Sequence, residues 1–277
     1  MRATTLVLSI VILSGLAFAR PAAAQNESGP LRDLLSLATM STNYQQRDQM
    51  LLSGAPRFNE VSSFIAIAQA AAYEATKVSV LELGATRARS VGETIQLAAQ
   101  SPKYDSRDRI LLGGARLAQG LSDYLALAQA AAYEATKNAL MQQGQVTAMR
   151  AADFIALASA ATKYDVRDQI LVNGSQRVHG LDEYIALVAA AAYEATKVTI
   201  LRIGVREARN VTEVARMADL SPKYDARDEM LLGGVRLCTS AADAQFLVSH
   251  AAYEATKNSI LRQYAQTAGF GTLYGNR

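Results

Sequence analysis

The sequence predicts an all-α protein built from four tandem helical repeats of about sixty residues, stacked as a solenoid or a compact helical array. Three observations predict this. The heptapeptide AAYEATK at residues 71–77 returns unchanged at 131–137, 191–197 and 251–257. A second motif, Tyr-x-x-Arg-Asp, keeps the same period from Tyr44, Tyr104, Tyr164 and Tyr224. No segment carries the period-two apolar pattern of a strand, and the lone Asn173-Gly174 dipeptide lies between two helical segments. A repeat has to be settled before any site, because each unit is one supersecondary element that buries its core only by stacking on a neighbour.

The chain starts with a charge at Arg2, an apolar run from Leu6 to Ala19 and an Ala22-Ala23-Ala24 site. That order is a secretory signal peptide over residues 1–24. The run is shorter than the roughly 20 residues a spanning helix needs, so no transmembrane segment is expected in the mature chain. Export places the protein in a periplasm or outside the cell.

Loss of residues 1–24 removes Arg2 and Arg20 and no acid, so 28 basic against 25 acidic residues become 26 against 25. A chain so close to neutral lacks the basic surface of a nucleic-acid binder. Cys238 is the single cysteine, so no internal disulfide is available, and the core must carry stability. It stands where other units have Phe58, Ala118 and Val178, as a small apolar filler. With no Trp and six Phe, the core must come from Ala, Leu, Ile, Val and Tyr.

A short linker, 25–29, leads to the repeat domain at 30–263, in units of about 30–83, 84–143, 144–203 and 204–263. The tail 264–277, rich in glycine and aromatic residues, is expected to be flexible. In the first half of a unit, Ser101-Pro102 and Ser221-Pro222 start helices, while unit three has Ala161-Thr162 instead. That half therefore reads as a long helix, kinked or broken in some copies. Gly54, Gly114, Gly174 and Gly234 end it and read as left-handed C-caps.

The second half, 122–144 in unit two, has no proline or internal glycine and reads as one helix of about six turns by the 3.6-residue period. The halves also resemble each other: FIALASAATKYDVRDQIL from Phe154 lies over YIALVAAAAYEATKVTIL from Tyr184, the mark of an older duplication.

The repeated polar residues are the candidate site: Arg47, Asp48, Glu74, Lys77, Arg107, Asp108, Glu134, Lys137, Arg167, Asp168, Glu194, Lys197, Arg227, Asp228, Glu254 and Lys257. Helical spacing lets Glu134 pair with Lys137, and Arg107 and Asp108 are expected to meet them across the helix pair. Charges that neutralise one another tolerate low dielectric. Packing is favoured over chemistry because the set recurs in every unit, whereas active sites are few per chain. It contains no histidine and no oxygen-rich calcium loop, so no metal, cofactor or catalytic residue is assigned. His179 falls in a surface loop. His250 replaces the alanines at 70, 130 and 190, and Ala244 stands where Phe64, Tyr124 and Tyr184 do, as suits a terminal repeat with one free face.

The leading expectation of function is a binding or structural scaffold for a protein or envelope component, with self-association left open. The alternative is a hydrolase or lyase acting on cell-wall or polysaccharide material inside a closed α/α toroid, with paired carboxylates drawn from Asp123, Asp182, Glu183, Glu213 or Asp243. Lipid association is disfavoured, since the second helix lacks a strongly charged face.

Overall fold

The computed structural model describes residues 23–268 and, from Ser28 onward, their side chains. The described chain forms eight hairpins of two short helices: α1 (Ala23–Met40) with α2 (Tyr44–Gly54), α3 (Val61–Ala70) with α4 (Glu74–Arg87), α5 (Val91–Ala99) with α6 (Tyr104–Gly114), and α7 (Leu121–Ala130) with α8 (Glu134–Gly144). The second four are α9 (Ala151–Ala160) with α10 (Tyr164–Ser175), α11 (Leu181–Ala190) with α12 (Glu194–Arg206), α13 (Val211–Asp219) with α14 (Tyr224–Gly234), and α15 (Ala241–His250) with α16 (Glu254–Thr267). Each sixty-residue unit is thus two hairpins, and no strand occurs among the described residues.

The segment 122–144 is not one helix. The chain leaves α7 at Ala131 (φ −69°, ψ 144°), stays extended at Tyr133 and re-enters a helix at Glu134. Nothing in Ala-Ala-Tyr forbids a helix, so the break is imposed by tertiary contacts. Nor do Ser101 and Pro102 occupy the first positions of α6: the residue flanking its start is Lys103, and Ser101-Pro102 form the turn before it. The signal peptide lies mostly outside the described residues. α1 covers the expected linker, α16 takes the first residues of the expected tail, and 269–277 lie outside the description.

Odd-numbered helices form one layer and even-numbered helices the other, and the substantial packing among the described residues joins only hairpins adjacent in sequence. The core repeats every thirty residues: Ile67, Leu97, Leu127, Leu157, Leu187, Met217 and Leu247 line the odd layer, and Leu51, Leu81, Leu111, Met141, Leu171, Leu201 and Leu231 the even layer, all buried.

The glycines expected as left-handed caps are helical instead. Gly114 has φ −71° and Gly234 φ −74°, and among the described residues the one positive φ belongs to Gly180, at 98°. Their role is close approach. A Cβ at Gly114 would lie 2.4 Å from Thr94 Cγ2, and one at Gly174 would lie 2.6 Å from Phe154 Cγ. Seven hairpins share this crossing, with Gly54, Gly84, Gly114, Gly144, Gly174, Gly204 and Gly234 each meeting a larger residue twenty positions earlier. The eighth inverts it, with Ala244 buried in the odd-layer position and the half-buried Tyr264 in place of glycine. Ala244 is therefore one half of a size exchange, not a sign of an unpacked end.

Candidate functional site

Each hairpin turn brings the C-terminus of one helix against the N-terminus of the next, so carbonyls and amides left over from both helices crowd one edge of the stack. The Arg-Asp step of the preceding hairpin satisfies this edge. Asp48 accepts hydrogen bonds from the backbone N–H of Ala72 (2.8 Å) and Tyr73 (2.9 Å), and Asp108 does the same from Ala132 (2.8 Å) and Tyr133 (2.9 Å). Asp168 takes Ala192 and Tyr193, and Asp228 takes Ala252 and Tyr253. A buried carboxylate at a helix N-terminus gains both from the bonds and from the aligned peptide dipoles. Its arginine neighbour serves the opposite pole: Arg167 Nη2 donates to the Ala190 carbonyl at the end of α11, 2.7 Å away.

Two of the alternate turns need no such help. Ser101 and Ser221 bond locally to Lys103 and Lys223, and Pro102 and Pro222 offer no N–H. In the preceding hairpin the aspartate position is accordingly Val78 and Val198. Asn138 fills it before the Ala161-Thr162-Lys163 turn, and its buried side-chain oxygen has no partner.

The expected charge quartet is therefore corrected. Asp108 spends both oxygens on backbone amides rather than on Lys137. Glu134 is exposed and faces Lys163 at 3.7 Å, and Glu254 pairs with Lys257 at 2.7 Å within its own helix. Arg227 bridges to Asp219 at 2.9 Å, while the Nε of Arg47, Arg107, Arg167 and Arg227 is buried without a partner. A carboxylate turns to two fixed, otherwise unpaired amides in preference to a lysine that water can solvate. Glu74, Glu194, Lys77 and Lys197 stand at the same positions, the glutamates exposed and the lysines half-buried.

Sequence reasoning missed what these turns expose. Tyr44, Tyr73, Tyr104, Tyr133, Tyr164, Tyr193, Tyr224 and Tyr253 stand one per hairpin along the turn edge, between 45% and 64% exposed. Tyr104 and Tyr133 meet edge to face with ring centroids 6.3 Å apart, as do Tyr164 and Tyr193. A hydrogen bond to Asp105 raises the Tyr133 phenol, and Asp225 acts likewise on Tyr253. For Tyr193 burial is the first cause, followed by Asp165. Lys103, Lys163 and Lys223 adjoin the same turns. The row was legible in principle, because a tyrosine begins every second helix.

The opposite edge is occupied by structural contacts. Arg116 donates to the last carbonyls of α4, and Arg236 to those of α12. The acids considered for a hydrolase lie here, spread over four hairpins, with Asp182 and Glu183 adjacent on α11. Asp123 accepts from Gln119 N–H, Glu213 from Arg209 N–H, Asp243 from Thr239 and Ser240 N–H, and Glu183 from Ala151 N–H. Asp182 is exposed in the first turn of α11. His179 pairs with Glu207 (2.9 Å) on this edge, and His250, at the end of α15 on the tyrosine edge, pairs with Asp219 (2.8 Å). Burial pushes the Cys238 thiol up, in keeping with a filler.

A cleft of about 510 Å³ between α4 and α6 holds the Glu82–Arg109 pair at 2.9 Å. The equivalent cleft between α12 and α14 has the pair reversed, as Arg202 and Glu229. Neither sign of charge is kept at either position, which suits helix bridging rather than recognition of a charged ligand.

No protein family matches the chain, and no curated protein does. Among solved structures it is similar, at 13% identity over 90% of this chain and 92% of the other, to one described as "Computational Design of Self-Assembling Cyclic Protein Homooligomers". The TM-score is 0.14.

Proposed function

We propose that the protein is an exported helical-repeat scaffold that holds an extended protein or envelope component along its tyrosine edge. The observation that carries this reading is the division of labour within AAYEATK. The alanine that opens it and its threonine are buried or half-buried at the turn, but Tyr73, Glu74 and Ala75 and their counterparts are exposed. Packing does not demand identity there. Exposed or half-exposed positions slightly further along the same helices differ from copy to copy, as Ser79, Ala139, Thr199 and Ser259 do, and as Glu82, Gln142, Arg202 and Arg262 do. Tyrosine supplies contact area at low entropic cost and is enriched where proteins bind. Carboxylates beside the phenols add acceptors, so the edge suits a long partner offering hydrogen-bond donors and groups that stack on rings.

The test is site-specific photocrosslinking in the producing cell, with a benzophenone amino acid in place of Tyr133 or Tyr193 and, as control, of the exposed Met149 on the opposite edge. Adducts of defined mass from the tyrosine positions and none from Met149 support the reading. Adducts at Met149 alone, or none at the tyrosines, overturn it.

A further inference from the structure

The two ends of the described stack are unfinished in complementary ways. The terminal repeats of a solenoid ordinarily turn a polar face outward. Here Leu37 on α1 is 60% exposed, whereas its thirty-residue counterparts Ile67 through Leu247 are at most 1% exposed. At the other end Leu261 on α16 is 44% exposed, whereas Leu51 through Leu231 are fully buried. In the interior these two rows are covered by neighbouring hairpins. Leu97, Leu157 and Met217 reach back to Gly84, Gly144 and Gly204 of the hairpin before them.

The polar residues of an internal junction are also present, one half at each end. Arg57 is exposed and stands one hundred and twenty residues before Arg177, which donates to the Gln145 and Val146 carbonyls at the end of the preceding α8. Arg116 and Arg236 perform the same task at the ends of α4 and α12. No described hairpin precedes the first one, which Arg57 follows, and no described hairpin supplies an arginine to the last carbonyls of α16. Asn258 likewise occupies the register of Asn138, which lies twenty-four residues before Thr162. Continuing the period past the described end places Thr42 of another copy opposite Asn258. Parity agrees as well: the described chain opens with a Tyr-x-x-Arg-Asp hairpin and closes with an AAYEATK hairpin, the order found at every such junction inside it.

We propose that a second copy of this chain docks head to tail, with its first hairpin seated on the eighth hairpin of the copy before it. The interface reproduces an internal junction. Leu37 covers Leu261 and the Tyr264 ring, Arg57 caps α16, and the tyrosine edge continues across the boundary. Because the surfaces that meet are different, the contact is heterologous and propagates into a filament or closes into a ring.

Leu37→Glu and Leu261→Glu each spoil one end of an exposed surface and leave the other intact. Light scattering after size exclusion should show the wild-type chain growing beyond a monomer as concentration rises into the millimolar range, and each variant alone remaining a monomer. Mixing the two variants should give a dimer and nothing larger. Circular dichroism melts close to wild type establish that both variants fold. As an independent readout, Thr42→Cys with Asn258→Cys in a Cys238→Ser chain should give a ladder of disulfide-linked multimers on oxidation, reversed by reduction. A monomeric wild type, variants that fail to complement, or a cross-link within one chain overturns the proposal. So does assembly seen only after truncation beyond Thr267, which would make the chain's own C-terminal segment the occupant of the α16 face.

Discussion

Asp108 on α6 closes the start of α8 by accepting the Tyr133 N–H at 2.9 Å, twenty-five residues downstream, with the Ala132 N–H on its other oxygen. This contact closes the break in what the sequence alone presents as one long helix. Removing it orphans two part-buried amides, so Asp108→Ala should destabilise the fold by about 1–3 kcal/mol. Asp108→Asn should cost less, because its side-chain oxygen still accepts, and Glu134→Ala should stay within about 0.5 kcal/mol, as exposed positions do. Urea unfolding of the three variants checks the order.

The same contact predicts acid sensitivity at Asp48. Burial alone pushes its carboxyl up, but the amides of Ala72 and Tyr73, the Thr76 hydroxyl and the Arg47 charge outweigh burial and leave it below its ordinary value of 3.8. A carboxyl depressed by folding contributes stability above its unfolded-state value and loses it as pH falls through the folded-state value. The stability gap between wild type and Asp48→Asn should therefore be constant near neutrality and shrink below pH 3.8. Melting temperatures measured down through that window test it, and a gap that does not narrow contradicts the assignment.

At Asn138 the chain has the position of the capping aspartate without its charge, before a turn that has neither Ser-Pro nor an aspartate reaching it. Asn138→Asp should turn toward the Thr162 and Lys163 amides and raise stability by about 1 kcal/mol, the usual worth of a helix cap. Thermal unfolding decides it, and a lower melting temperature would show that the side chain does not face those amides.

Among the glycines, Gly113 has open space where a Cβ would go, and Gly114 has Thr94. Gly113→Ala should be neutral or stabilising by up to about 1 kcal/mol through helix propensity, whereas Gly114→Ala should destabilise through overpacking by about 1–3 kcal/mol. The inverted crossing at Ala244 and Tyr264 suggests a sharper test. Gly174→Tyr alone should be severely destabilising, and Phe154→Ala in the same chain should recover part of the loss, which a double-mutant cycle measures.

Helical content, the sixty-residue period and the older thirty-residue duplication were legible because each rests on local composition and repetition. The break at Ala131–Tyr133 was not, because the carboxylate that closes it sits in another hairpin and no local residue forbids helix. The glycines misled for a related reason: a glycine near the end of an apolar run reads as a cap, and only its recurrence every thirty residues, opposite a larger residue twenty positions earlier, marks a helix crossing. For the polar motif, the residue types were legible and the partners were not. Spacing brought Arg107 and Asp108 toward the next hairpin, but not onto its backbone.

The central claim is that AAYEATK combines a buried half that closes the turn with an exposed half that does not hold the fold. Thermal unfolding of the combined Tyr73→Ser, Tyr133→Ser, Tyr193→Ser and Tyr253→Ser chain tests it most directly. The account predicts a smaller loss of melting temperature from all four together than from Asp108→Ala alone. A loss as large as or larger than that of the single aspartate change would make the tyrosines packing residues and contradict the tyrosine edge as a binding surface.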